Sequence, residues 1–216
     1  VKNDIERKHH TNIHLSNLYS YAQWGKGWNK LYSRAGIGMN QRWMYVGEQK
    51  QNIFTVRPTI FIRYIVTPKI EFRYQGSVSN IMPSQSALSD YSQEIDLIQT
   101  QKGNPNLKPQ IDFYNALVFN YNFSKTALVL YLNQTYSKSP IMESTYCEDK
   151  KVIRTQENHK KFQNYNVEIE YGGMPFGNML SFKAFAGMKF YKSNGNQYTH
   201  HFTTSPSQHL NTIVGD

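Results

Sequence analysis

The sequence predicts an all-β chain, a stretch of antiparallel transmembrane β-barrel. Three observations carry that expectation. Apolar and polar side chains alternate with a period of two over several segments, as strands with one apolar and one polar face require. Several segments exceed the five or six residues usual in globular strands and suit a tilted crossing of an apolar band about 25 Å tall. The connections alternate short with long, the asymmetry of barrels whose two rims face different compartments.

In chain order, strands are expected near 11–23, 30–45, 53–66, 69–79, 111–123, 126–142, 154–171 and 179–192, with a ninth beginning near 199. Ile70, Phe72 and Tyr74 separate from Lys69, Glu71, Arg73 and Gln75. Leu117, Phe119, Tyr121 and Phe123 separate from Val118, Asn120 and Asn122. Tyr165, Val167, Ile169 and Tyr171 alternate with Asn166, Glu168 and Glu170, and Phe182 to Phe190 alternate with Lys183, Gly187 and Lys189. Short turns fall at Gly25–Asn29, Thr67–Lys69, Ser124–Lys125 and Gly172–Asn178, and longer links at about 46–52, 80–110, 143–153 and 193–198. A slip of one residue flips a strand's faces, so register is a further test. A two-residue turn at Ser124–Lys125 sets Tyr121, Phe119 and Leu117 opposite Leu128, Leu130 and Leu132. A three-residue turn at Thr67–Lys69 sets Tyr64 and Ile62 opposite Phe72 and Tyr74. Both hairpins keep one continuous apolar face.

Composition agrees. Only 39% of the 216 residues are apolar and the mean hydropathy is −0.64, and the longest apolar run, Ala127 to Leu132, is far below the roughly 18 residues of a membrane helix. A barrel strand escapes that test because only alternate residues meet lipid. Aromatics make up 14%, led by 16 Tyr and 12 Phe, and such rings gather at membrane interfaces. The net charge of +9 comes without a nucleic-acid-binding motif, so it is assigned to loops and a polar interior rather than to nucleic acid. Cys147 is the sole cysteine, which excludes an internal disulfide and a Cys-rich zinc site. The chain starts at Val1 without a signal segment, so the sequence reads as a fragment.

Residues 57–58 read "RP", 72–84 read "FRYQGSVSNIMPS", 103–109 read "GNPNLKP" and 137–145 read "SKSPIMEST". In that order they resemble the barrel region of TonB-dependent outer-membrane receptors, of the β-barrel family typical of Bacteroidetes, over about residues 30–190. The motif proper is Gly103, Asn104, Pro105, Asn106, Leu107, Lys108 and Pro109. Gln110 departs from the family's usual Glu, and Ile81-Met82 replaces a basic residue before Pro83-Ser84. The resemblance implies a barrel of about 22 strands, of which this chain holds roughly eight to nine. It also implies a plug domain and an energy-coupling complex, with residues 1–216 forming one partial barrel domain that lacks the plug. Outer-membrane lipid is then the surrounding solvent, and a surface lipoprotein is a further candidate partner. The location implied is the outer membrane of a Gram-negative bacterium, and no cofactor is implied. Closure of eight strands into a small barrel is the structural alternative. A passive pore or surface-binding barrel without coupling is the functional one, and a secreted glycan-binding β-protein is a third.

The face away from lipid is expected to carry Arg63, Glu71, Arg73, Glu168, Glu170, Lys183 and Lys189. Ligand is expected to meet the loops near 80–110 and 143–160, where Tyr91, Tyr146, Lys150, Lys151 and Arg154 offer aromatic and cationic contacts. No catalytic constellation stands out: Glu168 and Glu170 share a face but are explained as ion-paired wall. The seven histidines, His159 among them, are read as surface residues rather than metal ligands.

Overall fold

A computed structural model describes residues 13–46, 49–89, 92–174, 180–194, 199–203 and 207–214. Its main body is one antiparallel sheet. In order across it lie β1 (Ile13–Trp28), β2 (Leu31–Val46), β3 (Gln49–Thr67) and β4 (Ile70–Ile81). The 80–110 link that follows holds a single helical turn, α1 (Gln85–Leu88), and two short strands, β5 (Ser92–Glu94) and β6 (Gln99–Lys102). The main sheet resumes with β7 (Gln110–Phe123) and β8 (Thr126–Lys138). A hairpin of β9 (Ile141–Glu148) and β10 (Lys151–Asn158) intervenes, and β11 (Lys161–Gly173) and β12 (Leu180–Asn194) then extend the wall. The ninth position is shared by β13 (Thr199–Thr203) and β14 (Ser207–Val214), which pair with the two halves of β12. Strands β5, β6, β10 and β9 form a second, four-stranded sheet. Among the described residues β1 pairs with β2 alone, so the wall is an open arc and not a closed eight-stranded barrel.

The expected registers hold. Tyr121, Phe119 and Leu117 face Leu128, Leu130 and Leu132, and Tyr64 and Ile62 face Phe72 and Tyr74. At the latter hairpin the turn itself is the pair Pro68–Lys69, and an irregularity between Ile65 and Thr67 restores the register, as a bulge does. Pro68 in the turn interrupts no ladder bond.

Five segments differ from expectation. The strand expected over 126–142 stops at Lys138, because Ser139 takes a left-handed conformation (φ 52°) before Pro140 and the chain leaves the wall. The strand expected over 154–171 is two strands broken at His159–Lys160. What was expected as a loop at 143–153 is the β9–β10 hairpin, its turn at Asp149–Lys150 with φ of 49° and 64°, the two positive values of a type I′ turn. Neither the turn at Gly25–Asn29 nor the link at 46–52 is what patterning suggested. Strand β1 runs on to Trp28, and Gln49–Asn52 pair with Val46–Trp43, leaving only 47–48 between β2 and β3. Pro58 lies inside β3. It sits one residue above the last β3–β4 pair, Thr59–Ser77, where no β3–β4 bond remains to be lost.

The two faces are chemically distinct. Ile62, Tyr74, Leu117, Leu132, Val167 and Met188 form one row across β3, β4, β7, β8, β11 and β12. Rows on this outer face leave many large apolar side chains exposed, far more than a soluble monomer tolerates. Aromatic pairs bound the band. Tyr121–Phe123 (4.3 Å) and Tyr171–Phe182 (6.0 Å) lie at the short-turn rim, and Phe113–Tyr136 (5.8 Å) at the other. From Phe123 to Phe113 the chain rises about 33 Å, which a tilt of roughly 40° reduces to about 25 Å. That is the height of a lipid-facing band. Polar groups within it are paired: Tyr74 lies across Gly76, whose missing side chain leaves room, and donates to Asn115 Oδ1 at 2.8 Å. No helix among the described residues is long and apolar enough to cross a membrane.

Candidate ligand site at the mouth of the barrel

The opposite, inner face is polar, and by register Arg63, Glu71, Arg73, Glu168, Glu170, Lys183 and Lys189 lie on it. Cross-strand rows join them: Glu71, Asn120, Val129, Glu170 and Phe185 in one, Arg73, Val118, Tyr131, Glu168 and Gly187 in the next. Glu71 bridges two arginines, with Oε2 at 2.6 Å from Arg63 Nη2 and Oε1 at 2.9 Å from Arg73 Nε. Glu170 meets Lys183 Nζ at 3.0 Å. Glu168 lies one row away, and Lys189 faces Asn166. Glu168 and Glu170 thus sit in an ion-paired wall. Charge is uneven around this wall: Arg34, Arg42, Arg57, Arg63 and Arg73 on β2–β4 stand against Glu71 alone. On β7–β12, Asp112, Glu168 and Glu170 balance Lys183 and Lys189.

The long links fold over the inner face. Met44, on the same face of β2 as Arg42, is only 2% exposed and packs with Ala87, Leu88 and Leu107, with Ile141 alongside. This is the described chain's buried apolar cluster, and it lies in the cap rather than in the wall. Ser137 and Ser193, both 2% exposed, belong to one inner-face row with Asp112 and Phe162. Ser193 Oγ donates to Met142 Sδ on β9 at 3.6 Å, so the hairpin roofs that side as well.

The "GNPNLKP" segment stitches the cap together. Asn104 N–H donates to the Ala87 carbonyl at 2.6 Å, its Nδ2 to the Gln156 carbonyl at 2.9 Å, and its Oδ1 accepts from Asn106 N–H at 3.0 Å. Gln51 Nε2 donates to the Pro105 carbonyl at 3.2 Å. Leu107 is the motif's contribution to the apolar cluster. Asn158 holds the Lys108 backbone from β10, and Pro109 ends the segment so that β7 starts at Gln110. Gln110 uses both ends of its amide, Nε2 donating to Asp112 Oδ1 at 2.8 Å and Oε1 accepting from Ile141 N–H at 3.0 Å. A Glu there could not donate to Asp112, which accounts for the departure from the usual residue.

Between α1 and one face of the second sheet lies an open cleft of about 620 Å³. Residues Gln93, Gln101 and Arg154 form one row across β5, β6 and β10 on the cleft side. On the reverse of the sheet Thr100 and Ile153 are buried. Arg154 Nε is 3.0 Å from Glu143 Oε1. Of the expected ligand contacts, Arg154 lines this cleft. Tyr146 pairs with Ile153 on the reverse face, Lys150 is in the turn, and Lys151 is ion-paired to Glu94. Tyr91 lies outside the described residues. The glutamines had no signal in the sequence, since nothing there shows that three short strands align them.

His159 is a correction: it is buried, 8% exposed, with Nε2 3.1 Å from Ser144 Oγ. Its N–H binds the Pro140 carbonyl at 2.8 Å, where the hairpin returns to the wall. Ser144 also donates to Glu157 Oε2 at 3.0 Å. The carboxylate thus meets the hydroxyl and not the imidazole, unlike a catalytic triad. No cluster of three or more metal-ligating side chains occurs among the described residues.

Comparison with known proteins follows this geometry. The model of the outer membrane protein beta-barrel family matches residues 2–212. The FrpB iron transporter of Neisseria meningitidis superposes with a TM-score of 0.63 at 10% identity, over 85% of this chain and 26% of its own. The copper transporter OprC gives 0.69 at 8% identity, over 84% and 30%. The siderophore receptor PirA of Pseudomonas aeruginosa gives 0.58 at 10%, over 94% and 50%. This chain therefore spans between about a quarter and a half of those proteins' length. At such identities the likeness is one of fold. No protein of curated function matches the sequence. A lipid-facing apolar band, a polar inner wall and a family match over nearly the whole chain agree, and this chain belongs to the outer membrane protein β-barrel family of the Gram-negative outer membrane.

Proposed function

We propose that the chain is part of the wall and outer loops of a TonB-dependent import receptor, which takes a polar ligand across the outer membrane. One observation carries this. The long links form an ordered cap rooted on the inner face, through Met44 with Leu107 and through Ser193 with Met142. A receptor gathers ligand at the mouth of its own passage, and a cap packed on the inner face stands there. A surface-binding barrel has no need to turn its loops inward. The iron, copper and siderophore proteins of like fold favour transport as the class without choosing the ligand. Energy would reach the site through a plug domain and its coupling segment, outside these residues.

The test uses the full-length natural protein in detergent and in planar bilayers. An import receptor binds the purified C-terminal domain of TonB and stays closed to ions at rest. A protein that ignores TonB and conducts as an open channel is a passive pore, and the proposal then fails.

A further inference from the structure

The cleft between α1 and the second sheet has a chemistry of its own. Four carboxamides line it, Gln85 from α1 and Gln93, Gln101 and Gln156 from the sheet. None of these side-chain amides has a hydrogen-bonding partner among the described residues. Free glutamines scattered over a surface are ordinary, but these converge on one concavity from two walls. The charge beside them is largely cancelled, because Arg154 is paired with Glu143, leaving Lys102 as the remaining ion of the lining. Among the described residues that line the cleft, Ala87 and Ile95 are the main apolar contributions and none is aromatic.

We infer that this cleft binds a neutral oligosaccharide. The inference rests on the import proposal for the cap's role and adds the class of ligand. A carboxamide presents two donors and an acceptor, and every sugar hydroxyl both donates and accepts, so the two match without net charge. The volume falls within the range of small-ligand sites, about 300–1,000 Å³. A charged metal chelate would find no free cationic cluster among the described lining residues, where Lys102 alone is left without a counter-ion beside it. A peptide would need apolar niches for its side chains, which two small contributions do not supply.

The experiment titrates the full-length protein in detergent with maltohexaose, cellohexaose, xylohexaose and mannohexaose, followed by calorimetry. Hexaalanine and a hexagalacturonate serve as peptide and anionic arms. The result expected is binding of at least one neutral glycan, weakened roughly tenfold or more by Gln101→Leu and by Gln85→Ala, from opposite walls. Neither side chain has a hydrogen-bonding partner among the described residues, the heat-dependent gel shift verifies that the barrel wall of each variant folds, and unchanged protease resistance of residues 80–110 verifies that its cap stays docked. Three results overturn the inference: no neutral glycan binds, a glycan binds equally to wild type and both variants, or only the peptide or the anion binds. Because binding needs no energy coupling, failure to engage TonB would sink the import proposal and leave this result standing.

Discussion

Asn158 grips Lys108 by both backbone groups. Its Oδ1 accepts from the Lys108 N–H at 2.7 Å and its Nδ2 donates to the Lys108 carbonyl at 2.8 Å, across fifty residues of sequence. The same Nδ2 reaches the Ser139 carbonyl at 3.0 Å. One side chain thus joins the end of the long link, the exit of β8 and the return of β10. Asn158→Ala removes all three bonds, two of them exposed and the third leaving the part-buried Ser139 carbonyl unpaired, a local cost of about 1–2 kcal/mol. The wall does not depend on it. Limited proteolysis of intact outer membranes should show cleavage within 80–110 accelerated more than tenfold, with an unchanged heat-dependent gel shift. Equal cleavage rates would count against the grip.

Gly103 is fixed by contact rather than by freedom of backbone angle. A Cβ there would collide with the Ser89 carbonyl oxygen and stand 3.2 Å from that of Ala87, next to the Asn104–Ala87 hydrogen bond. Backbone on both sides leaves nothing flexible to yield. Gly103→Ala should therefore cost the upper end of the about 1–3 kcal/mol typical of overpacking. The cap should undock, raising hydrogen exchange at Asn104 and Leu107, while amides of β7 and β8 stay protected.

The wall was readable from the sequence and the cap was not, for a physical reason. In the wall, lipid on one face and water or protein on the other impose a period of two on every strand, and pairing then makes the pattern redundant. Register at Ser124–Lys125 followed from apolar matching alone. The cap has no such division. Its strands are as short as Ser92–Glu94, and their buried side chains include Thr100 and Thr155. Where wall and cap meet, the expected strand runs on to 142 although Ser139 and Pro140 turn the chain out of the sheet after Lys138.

The candidate site shows the same split. The inner-face charges Glu71, Arg73 and Glu170 were found because their strands alternate cleanly. The motif residues were found by likeness, and the structure supplies their work, with Leu107 as a core residue and Asn104 as a stitch. Lys151 and Arg154 look like one basic run, yet an odd separation in a strand sends them to opposite faces. Each has its own acid, Glu94 and Glu143.

That first pair makes the second sheet sensitive to acid. Lys151 holds the Glu94 carboxyl below its ordinary value, first by hydrogen bonding and then by charge. A lowered carboxylate pKa stabilises the folded form above the unfolded value of 4.5, and the contribution is lost as pH falls through the lowered value. Protection factors at β5 and β6, which are exchange rates corrected for the intrinsic pH dependence of amide exchange, should therefore be flat, so far as this pair is concerned, from pH 8 to about 5. They should then fall in acid. Both side chains are largely exposed, so molar salt should blunt the effect by screening. In Glu94→Gln the acid-induced fall in protection should be absent, and its persistence there would assign the sensitivity to another group.

In the wall, Arg63 and Arg73 lie directly opposite each other on β3 and β4, an arrangement of like charges that weakens a strand pair. Glu71 converts it into a bridge, taking Arg63 on one oxygen and Arg73 on the other. Glu71→Gln keeps the shape and removes the charge, leaving the arginines to repel across the β3–β4 ladder. The temperature at which the folded barrel band is lost on gels should fall by a few degrees. Arg73→Gln added to Glu71→Gln should recover most of that loss, because a single arginine opposite an amide has nothing to repel. If the double variant is as unstable as the single one, the role of Glu71 is its fit between strands and not the cancelling of charge.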